Sequence, residues 1–126
     1  MAKVSLTQKS LDWIRKEEGT LLVAVTERWC SFTRRKHDLF GFADLIWVSD
    51  SGVTLVQTTS ISNMSARIKK IFESDNSVPW MLAPSTRIVV QGWRKMANGR
   101  YEHRERYITL DDLKQFHEKT IVYNPN

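Results

Sequence analysis

Residues 33–59, TRRKHDLFGFADLIWVSDSGVTLVQTT, are the stretch from which the rest of the chain can be interpreted. A charged segment leads into an apolar strand that carries Asp44, and a turn at Ser51-Gly52 leads into a second apolar strand that carries Gln57. A carboxylate buried without a partner costs several kcal/mol, so polar side chains inside two apolar strands need a physical reason. We interpret Asp44 and Gln57 as a pair that holds a metal ion.

The composition is typical of a globular domain. The chain has 126 residues, of which 41% are hydrophobic and 26% charged, and no apolar run approaches the roughly 18 residues of a membrane span. Its first ten residues, MAKVSLTQKS, lack the apolar core of a signal peptide, and the single cysteine, Cys30, excludes an internal disulfide and a thiolate zinc site. We therefore expect one domain over residues 1–126, with a loose tail from about 119, in the cytoplasm and with no membrane partner.

The charge balance favours a polyanionic partner. The net charge is +5 and the pI is about 9.6, which suits nucleic acid, although many small basic proteins bind nothing acidic. The cationic residues form three groups near predicted strand ends, turns and helix starts: Arg28, Arg34, Arg35, Lys36 and His37; Arg67, Lys69 and Lys70; and Arg94, Lys95, Arg100, Arg104 and Arg106. These groups would contact phosphates if the strand ends share one edge of the sheet.

Hydrophobic periodicity and turn signals predict eight elements and two long loops. They are a helix over 5–18 capped by Ser5, a buried strand over 21–27 that ends in Glu27, a polar loop over 28–37, strands over 39–48 and 53–59, a helix beginning after 60–63, a loop over 74–85, strands over 86–93 and 100–109, and a short helix to about 117. The strand over 39–48 is apolar on both faces, which indicates a central position, and the strand over 100–109 alternates charges like an edge strand. This order predicts an α/β (α+β) fold, with helices flanking a mixed sheet.

The same order resembles the PD-(D/E)XK nuclease superfamily, whose members include restriction endonucleases and Holliday junction resolvases. The features that carry the resemblance are a strand ending in an acid, a Gly-x-x-Asp strand from Gly41 to Asp44, a third strand with an acid or amide, and a following helix, and they cover roughly residues 5–95. The segments DLFGFADLIWV, VQTTS and GWRK also look like small phage-encoded, resolvase-like proteins. The resemblance implies an αβββαβ core, cleavage of phosphodiester bonds in nucleic acid with Mg²⁺ or Mn²⁺, and a location in the host cytoplasm if a phage encodes the chain. DNA is the expected substrate, and the residues themselves do not separate DNA from RNA.

The resemblance assigns roles to individual residues. Asp44 falls at the family's metal-binding aspartate, Gln57 at its second acid or amide, and Glu27 at the acid that resolvases carry near the first strand. Thr59 falls where the family has a catalytic lysine, and Asp38 has no firm counterpart but is a candidate extra carboxylate. We therefore expect Asp44, Gln57, Glu27 and Asp38 to be metal ligands, because Mg²⁺ prefers hard oxygen donors.

Other residues would replace the missing lysine or bind the substrate. Lys70 or Arg67, on the helix after the third strand, would reach the site from the flank. Asp44, Gln57, Thr59, Lys70 and Glu27 are thus the expected catalytic set. The expected nucleic-acid contacts are Arg34, Arg35, Lys36, Arg67, Arg94 and Lys95.

Two alternatives stay open at this point. Asp44 on its own is equally compatible with a buried, hydrogen-bonded structural aspartate. Gln57 and Thr59, in place of an acid and a lysine, are also compatible with a degenerate module of the same fold that binds DNA or inhibits a host protein. A resolvase would in addition need a homodimer, and no segment of the sequence indicates an interface.

Overall fold

A five-stranded mixed sheet between two helical layers forms the body of the protein in this computed structural model, which describes residues 5–122. The elements are α1 (Leu6–Arg15), β1 (Thr20–Val25), β2 (Arg28–Cys30), β3 (Arg35–His37), β4 (Leu45–Ser49), β5 (Gly52–Ser60), α2 (Met64–Glu73), α3 (Ser77–Leu82), β6 (Thr86–Lys95), β7 (Tyr101–Ile108) and α4 (Leu110–Val122). The sheet order is β1-β4-β5-β6-β7, with β5 and β6 parallel and the other pairs antiparallel. The prediction of a mixed sheet flanked by helices is confirmed.

Alternate residues of the central strands divide the core between the two faces of the sheet. Leu11 and Ile14 of α1 pack on one face against Leu45, Val56 and Val89. The opposite face is covered by α2, α3 and α4, and its buried residues are Phe42, Ala43, Leu55, Ile71, Ile88, Val90, Ile108 and Leu113. This period of two is the strand pattern seen in the sequence, so each central strand is covered on both sides.

Helix α1 begins and docks through hydroxyl groups. The Gln8 N–H donates to the Ser5 hydroxyl at 3.0 Å, which confirms the predicted cap. On the buried side, the Ser10 hydroxyl accepts bonds from the Thr58 hydroxyl of β5 and from the Trp93 indole of β6, both at 2.9 Å. Ser10 therefore fixes α1 over the carboxyl ends of the two parallel strands.

The first strand differs from the prediction of a buried strand ending in Glu27. Strand β1 lies at the edge of the sheet, where Leu21 is 68% exposed, and it ends at Val25. Its β-branched composition indicated burial, but the position of a strand within a sheet is set by tertiary contacts rather than by composition. Glu27 consequently lies in the connection after β1.

The second predicted strand begins six residues late, because the chain turns before it enters the sheet. Phe40 and Gly41 have φ angles of +57° and +84°, and Leu39 and Ala43 form an isolated antiparallel bridge. Residues 39–44 are therefore a tight turn, and β4 starts only at Leu45. Asp44 lies immediately before β4, not early within it, and β4 occupies the predicted central position.

Three further segments hold more regular structure than predicted. The polar loop over 28–37 contains the β2–β3 hairpin, and the loop over 74–85 contains α3. Helix α4 begins with the predicted Thr109 and Asp112 cap but continues past 117 to Val122. The expected loose tail is thus helical as far as Val122, and residues 123–126 lie outside the described part of the chain.

Within residues 5–122, none of the helices combines the length and apolar character needed to cross a bilayer.

Gly52 at the β4–β5 turn is the glycine that the fold constrains most tightly. Its φ is +143°, and a Cβ there would overlap the Ser85 carbonyl oxygen, which accepts the Val53 N–H at 2.9 Å. Gly99 also has a positive φ, +85°, but a Cβ there would meet nothing within 4 Å. Position 52 therefore has no room for a side chain, whereas position 99 has.

We expect Gly99→Ala to lower the free energy of unfolding by about 1 kcal/mol through backbone strain. Gly52→Ala should cost about 2 kcal/mol more, because the methyl group would also separate β5 from the segment that precedes β6. Urea unfolding of both variants measures the difference. Equal losses would contradict the close approach at Ser85.

Candidate metal centre

Three carboxylates meet at the edge of the sheet where β1 ends and β4 begins. One oxygen from each of Glu27, Asp38 and Asp44 lies within 4.8 Å of the other two. Glu27 and Asp38 are partly exposed and Asp44 is buried, so the cluster reaches from the core to the surface. We call these three residues the acid cluster. An oxygen-rich group of this size could hold a metal ion.

Local hydrogen bonds bring the three acids together from separate segments. Thr26 ties the end of β1 to the start of β4, since its N–H donates to the Asp44 carbonyl at 2.8 Å and its hydroxyl to the Ala43 carbonyl at 2.9 Å. This places Glu27 beside Asp44. Asp38 arrives through the tight turn, in which the Leu39 N–H donates to the Ala43 carbonyl at 3.0 Å.

Asp44 and Gln57 contact each other directly, as the sequence predicts. Gln57 Nε2 donates to Asp44 Oδ2 at 2.8 Å, and the Thr58 N–H donates to the same oxygen at 2.7 Å. Asp44 is 5% exposed and Gln57 is 2% exposed. The Gln57 carbonyl oxygen is buried and has no hydrogen-bond partner, which is unusual for a polar atom in a core. Because the amide nitrogen faces Asp44, this oxygen would reach a cation shared with Asp44 only if the amide group turned over. The Gln91 carbonyl oxygen is also buried without a partner, so the acids carry more of the argument for a cation than the amide does.

The pKa of Asp44 reflects this crowding. Burial raises the pKa from 3.8 to about 8, and the neighbouring Asp38 and Glu27 carboxylates act in the same direction. The Thr58 N–H opposes them because it stabilises the ionised form. Asp44 therefore carries a proton at neutral pH, and it must lose that proton before it can ligate a cation.

Two lysines border the acid cluster, each paired with a different acid. Lys36 Nζ, from β3, lies 3.7 Å from Glu27 Oε1, and Lys70 Nζ, from α2, lies 3.6 Å from Asp38 Oδ2. Both lysine side chains are exposed, while their acidic partners are mostly buried. Each lysine thus offsets part of the negative charge and still faces solvent.

The remaining predicted residues lie on β5, α2 and β6. Thr59 is buried two residues beyond Gln57, on the same face of β5. Arg67 is partly buried on α2. Arg94 is exposed and pairs with Glu102, and Lys95 is exposed at the end of β6.

These basic residues share an edge with the acid cluster because of the strand register. The end of β1 pairs with the start of β4 at Leu45, which pairs with Val56 near the end of β5. The end of β5 pairs in parallel with β6 at Trp93, one residue before Arg94. The β2–β3 hairpin, with Arg34 and Arg35 exposed, projects from the same end of β1.

Sequence reasoning missed the part played by Thr58. Gln57 and Thr59 share a face of the strand and were assigned roles because they are polar residues in an apolar strand. Thr58 lies between them, and it donates its backbone N–H to Asp44 and its hydroxyl to Ser10. A backbone contact leaves no signal in the residue type. Lys36 was expected to contact nucleic acid. Nothing in the sequence apart from the positive charge of residues 28–37 indicated that Lys36 would pair with Glu27.

A pocket of about 540 Å³ lies elsewhere, between α1 and the β6–β7 hairpin, and its lining includes Lys9, Trp13 and Tyr101 but no member of the acid cluster. The candidate chemistry is therefore at a surface-reaching cluster of acids rather than in this pocket.

Comparisons of the chain with protein-family models, with curated proteins and with solved structures found no match. Functional assignment therefore rests on the geometry of the acid cluster and its surroundings.

We expect Asp44→Asn to stabilise the metal-free protein at neutral pH. The carbonyl oxygen of the introduced amide can accept both bonds that Asp44 Oδ2 accepts, and its nitrogen can donate to the remaining acids, so the fold keeps its contacts without the ionisable group. The pKa of Asp44 is about 8 in the folded chain and 3.8 as the unfolded reference. Between these values the unfolded chain releases a proton that the folded chain keeps, so the free energy of unfolding of the parent falls as pH rises from about 4 to about 8. The variant should lack that slope.

Thermal unfolding in chelator across this pH range measures the effect. At pH 7 the variant should be more stable by at least about 1 kcal/mol, or roughly 3 °C in Tm. Asp75→Asn is the matched control, because Asp75 is exposed and lies outside the acid cluster. A parent whose stability rises over the same pH range would show that Asp44 is ionised in the fold.

Proposed function

We propose that the protein is a metal-dependent nuclease that hydrolyses phosphodiester bonds in DNA, with Mg²⁺ or Mn²⁺ as the cation. The observation that carries the proposal is the acid cluster, with the unpartnered Gln57 carbonyl oxygen buried beside it. The order α1, β1, β4, β5, α2, β6 supports it, because, once the β2–β3 hairpin and α3 are set aside, it matches the αβββαβ order of the nuclease superfamily that the sequence resembles.

The acid cluster supplies the ligands in this proposal. Asp44, Asp38 and Glu27 would offer carboxylate oxygens, and Gln57 a neutral carbonyl oxygen, which leaves positions for water and substrate. A bound divalent cation would polarise the scissile phosphate and lower the pKa of an attacking water. The chain's own contribution is to hold these oxygens in place through Thr26, Thr58 and the turn before β4.

Lys70 takes the role that a lysine at position 59 has in the family. Its ammonium group lies at the acid cluster and is partly exposed, so it can contact a phosphate oxygen when the substrate arrives. Lys36 pairs with Glu27 of the acid cluster and is exposed in the same way. Both cations would stabilise the charge that develops on the phosphate during attack.

Binding of the polymer is assigned to the basic residues along the same sheet edge. Arg34, Arg35, Arg67, Arg94 and Lys95 would contact successive phosphates on either side of the acid cluster. Such contacts carry no sequence information, and they make the affinity fall as salt rises.

A second candidate is a degenerate module of the same fold that binds DNA or inhibits a host protein. Two observations favour it. Gln57 presents its amide nitrogen, not its oxygen, to Asp44, and Lys36 and Lys70 already offset charge in the acid cluster. A cluster satisfied in this way needs no cation to be stable.

Cleavage assays separate the two candidates. We expect the parent to cut supercoiled plasmid, single-stranded DNA or a four-way junction when Mg²⁺ or Mn²⁺ is present, and to lose cleavage in chelator. Asp44→Asn should lower the rate by about 10²-fold or more, because it removes a ligand carboxylate, while Asp75→Asn should cut like the parent. Salt-dependent binding without cleavage under any of these conditions would instead support the degenerate module.

The role of Lys70 has its own matched pair. Lys70→Gln should lower the rate about tenfold or more without weakening metal binding, because it removes a charge that acts on the phosphate. Lys69→Gln changes the neighbouring residue of α2, which pairs with Glu73 on the solvent side, and should leave the rate unchanged. Equal effects of the two substitutions would remove Lys70 from the mechanism.

A further inference from the structure

Two aromatic side chains stand in solvent on the β2–β3 hairpin. Trp29 is 62% exposed and Phe32, in the loop between the strands, is 96% exposed. Exposing large rings is unfavourable in water, and a hairpin of such short strands buries little to offset it. Exposure of two large rings on one hairpin indicates a surface that a binding partner would cover.

The charge of the hairpin selects the class of partner. Residues 28–37 contain no acid and four fixed cations, Arg28, Arg34, Arg35 and Lys36. Aromatic rings interleaved with cations match single-stranded nucleic acid, in which bases offer flat faces and the backbone offers phosphates. A protein surface would also cover aromatic and arginine side chains, which are enriched at protein interfaces, and it is therefore an outcome of the test below.

The strand register directs one ring toward the acid cluster. Trp29 pairs with Lys36 across the hairpin, and directly opposed residues of an antiparallel pair lie on the same face with Cβ atoms about 5 Å apart. Lys36 in turn reaches Glu27 of the acid cluster at 3.7 Å. The Trp29 ring is therefore a direct neighbour of the side chain that contacts the candidate metal site.

We propose that the β2–β3 hairpin is a stacking platform for unpaired bases next to the acid cluster, so that the protein selects single-stranded or branched DNA over intact duplex. The inference rests on the proposed nuclease function, because it places the stacked base beside the phosphate that the acid cluster would cut. Trp29 and Phe32 carry the base contacts, and Arg34 and Arg35 carry phosphate contacts that do not depend on pairing. Stacking on a ring requires a base freed from its own stack, which a paired duplex does not offer.

Equilibrium binding in an Asp44→Asn background tests the inference without cleavage. The probes are a labelled single strand, a labelled duplex of the same sequence and a labelled four-way junction with an unpaired flap. We expect the parent background to bind the single strand and the flap more tightly than the duplex. Trp29→Ala with Phe32→Ala should weaken single-strand binding by at least about fivefold, while duplex affinity stays within about twofold.

Three control sets sharpen the result. Trp29→Tyr with Phe32→Tyr keeps both rings and should restore single-strand binding. Leu21→Ala with Leu22→Ala removes two exposed apolar side chains from β1 and should change neither affinity. Arg34→Gln with Arg35→Gln should weaken single strand and duplex alike and reduce the salt dependence of both.

Equal affinity for single strand and duplex in the parent background overturns the inference, as does an alanine pair that weakens both probes alike or neither. A hairpin that docks a protein gives this last result, with nucleic-acid binding unchanged. The metal-dependent cleavage assay separates failure of this inference from failure of the proposed function. Cleavage without preference for unpaired DNA would reject the stacking platform alone. Absence of both cleavage and DNA binding would reject the nuclease function as well.

Discussion

The carboxyl group of Asp44 is buried between β4 and β5, and the local structure around it exists to hold it there. The Thr58 N–H and the Gln57 amide both donate to one of its oxygens, and the other acids of the cluster lie close by. Burial beside two other carboxylates makes the ionised form of Asp44 unfavourable, so its pKa rises to about 8 and the protonated form is favoured at neutral pH. Such an arrangement gains nothing for stability, which is the physical reason to look for a function.

The remainder of the fold serves to place this group at an accessible edge. Ser10 fixes α1 over the ends of β5 and β6, and Thr26 joins the end of β1 to the start of β4. The parallel pairing of β5 and β6 brings their carboxyl ends, and with them the basic residues that follow, to the same edge as the acids. Acidic and basic side chains would then face a substrate from one side, which the proposed nuclease activity requires.

The sequence was sufficient for the contact between Asp44 and Gln57. The turn at Ser49–Gly52 sets the hairpin register, Leu45 pairs with Val56, and the next residues outward are Asp44 and Gln57. A two-stranded register follows from local turn chemistry and alternation, which a sequence displays. Helices α1, α2 and α4 were likewise visible in their apolar spacing, with cap signals confirmed for α1 and α4, whereas α3 lies in a segment predicted as a loop.

The features that the sequence did not reveal depend on the position of a strand in the sheet or on rare backbone angles. Phe40 adopts a positive φ although it is not glycine, so nothing in the residue type showed that the chain turns back and brings Asp38 to Asp44. The β-branched run of β1 looked buried because composition does not reveal whether a strand lies at the edge. The β2–β3 hairpin was hidden for a related reason, since its rings and charges pack on no core that would impose an alternating pattern.

The most direct measurement is calorimetric titration of Mn²⁺ into the metal-free protein in two buffers that differ in ionisation enthalpy. We expect one ion per chain and release of close to one proton at pH 7, because Asp44 must give up its proton to ligate the cation. Binding should disappear in Asp44→Asn and persist in Asp75→Asn. Mn²⁺ binding of equal strength in both variants, or no binding to the parent, would contradict this expectation.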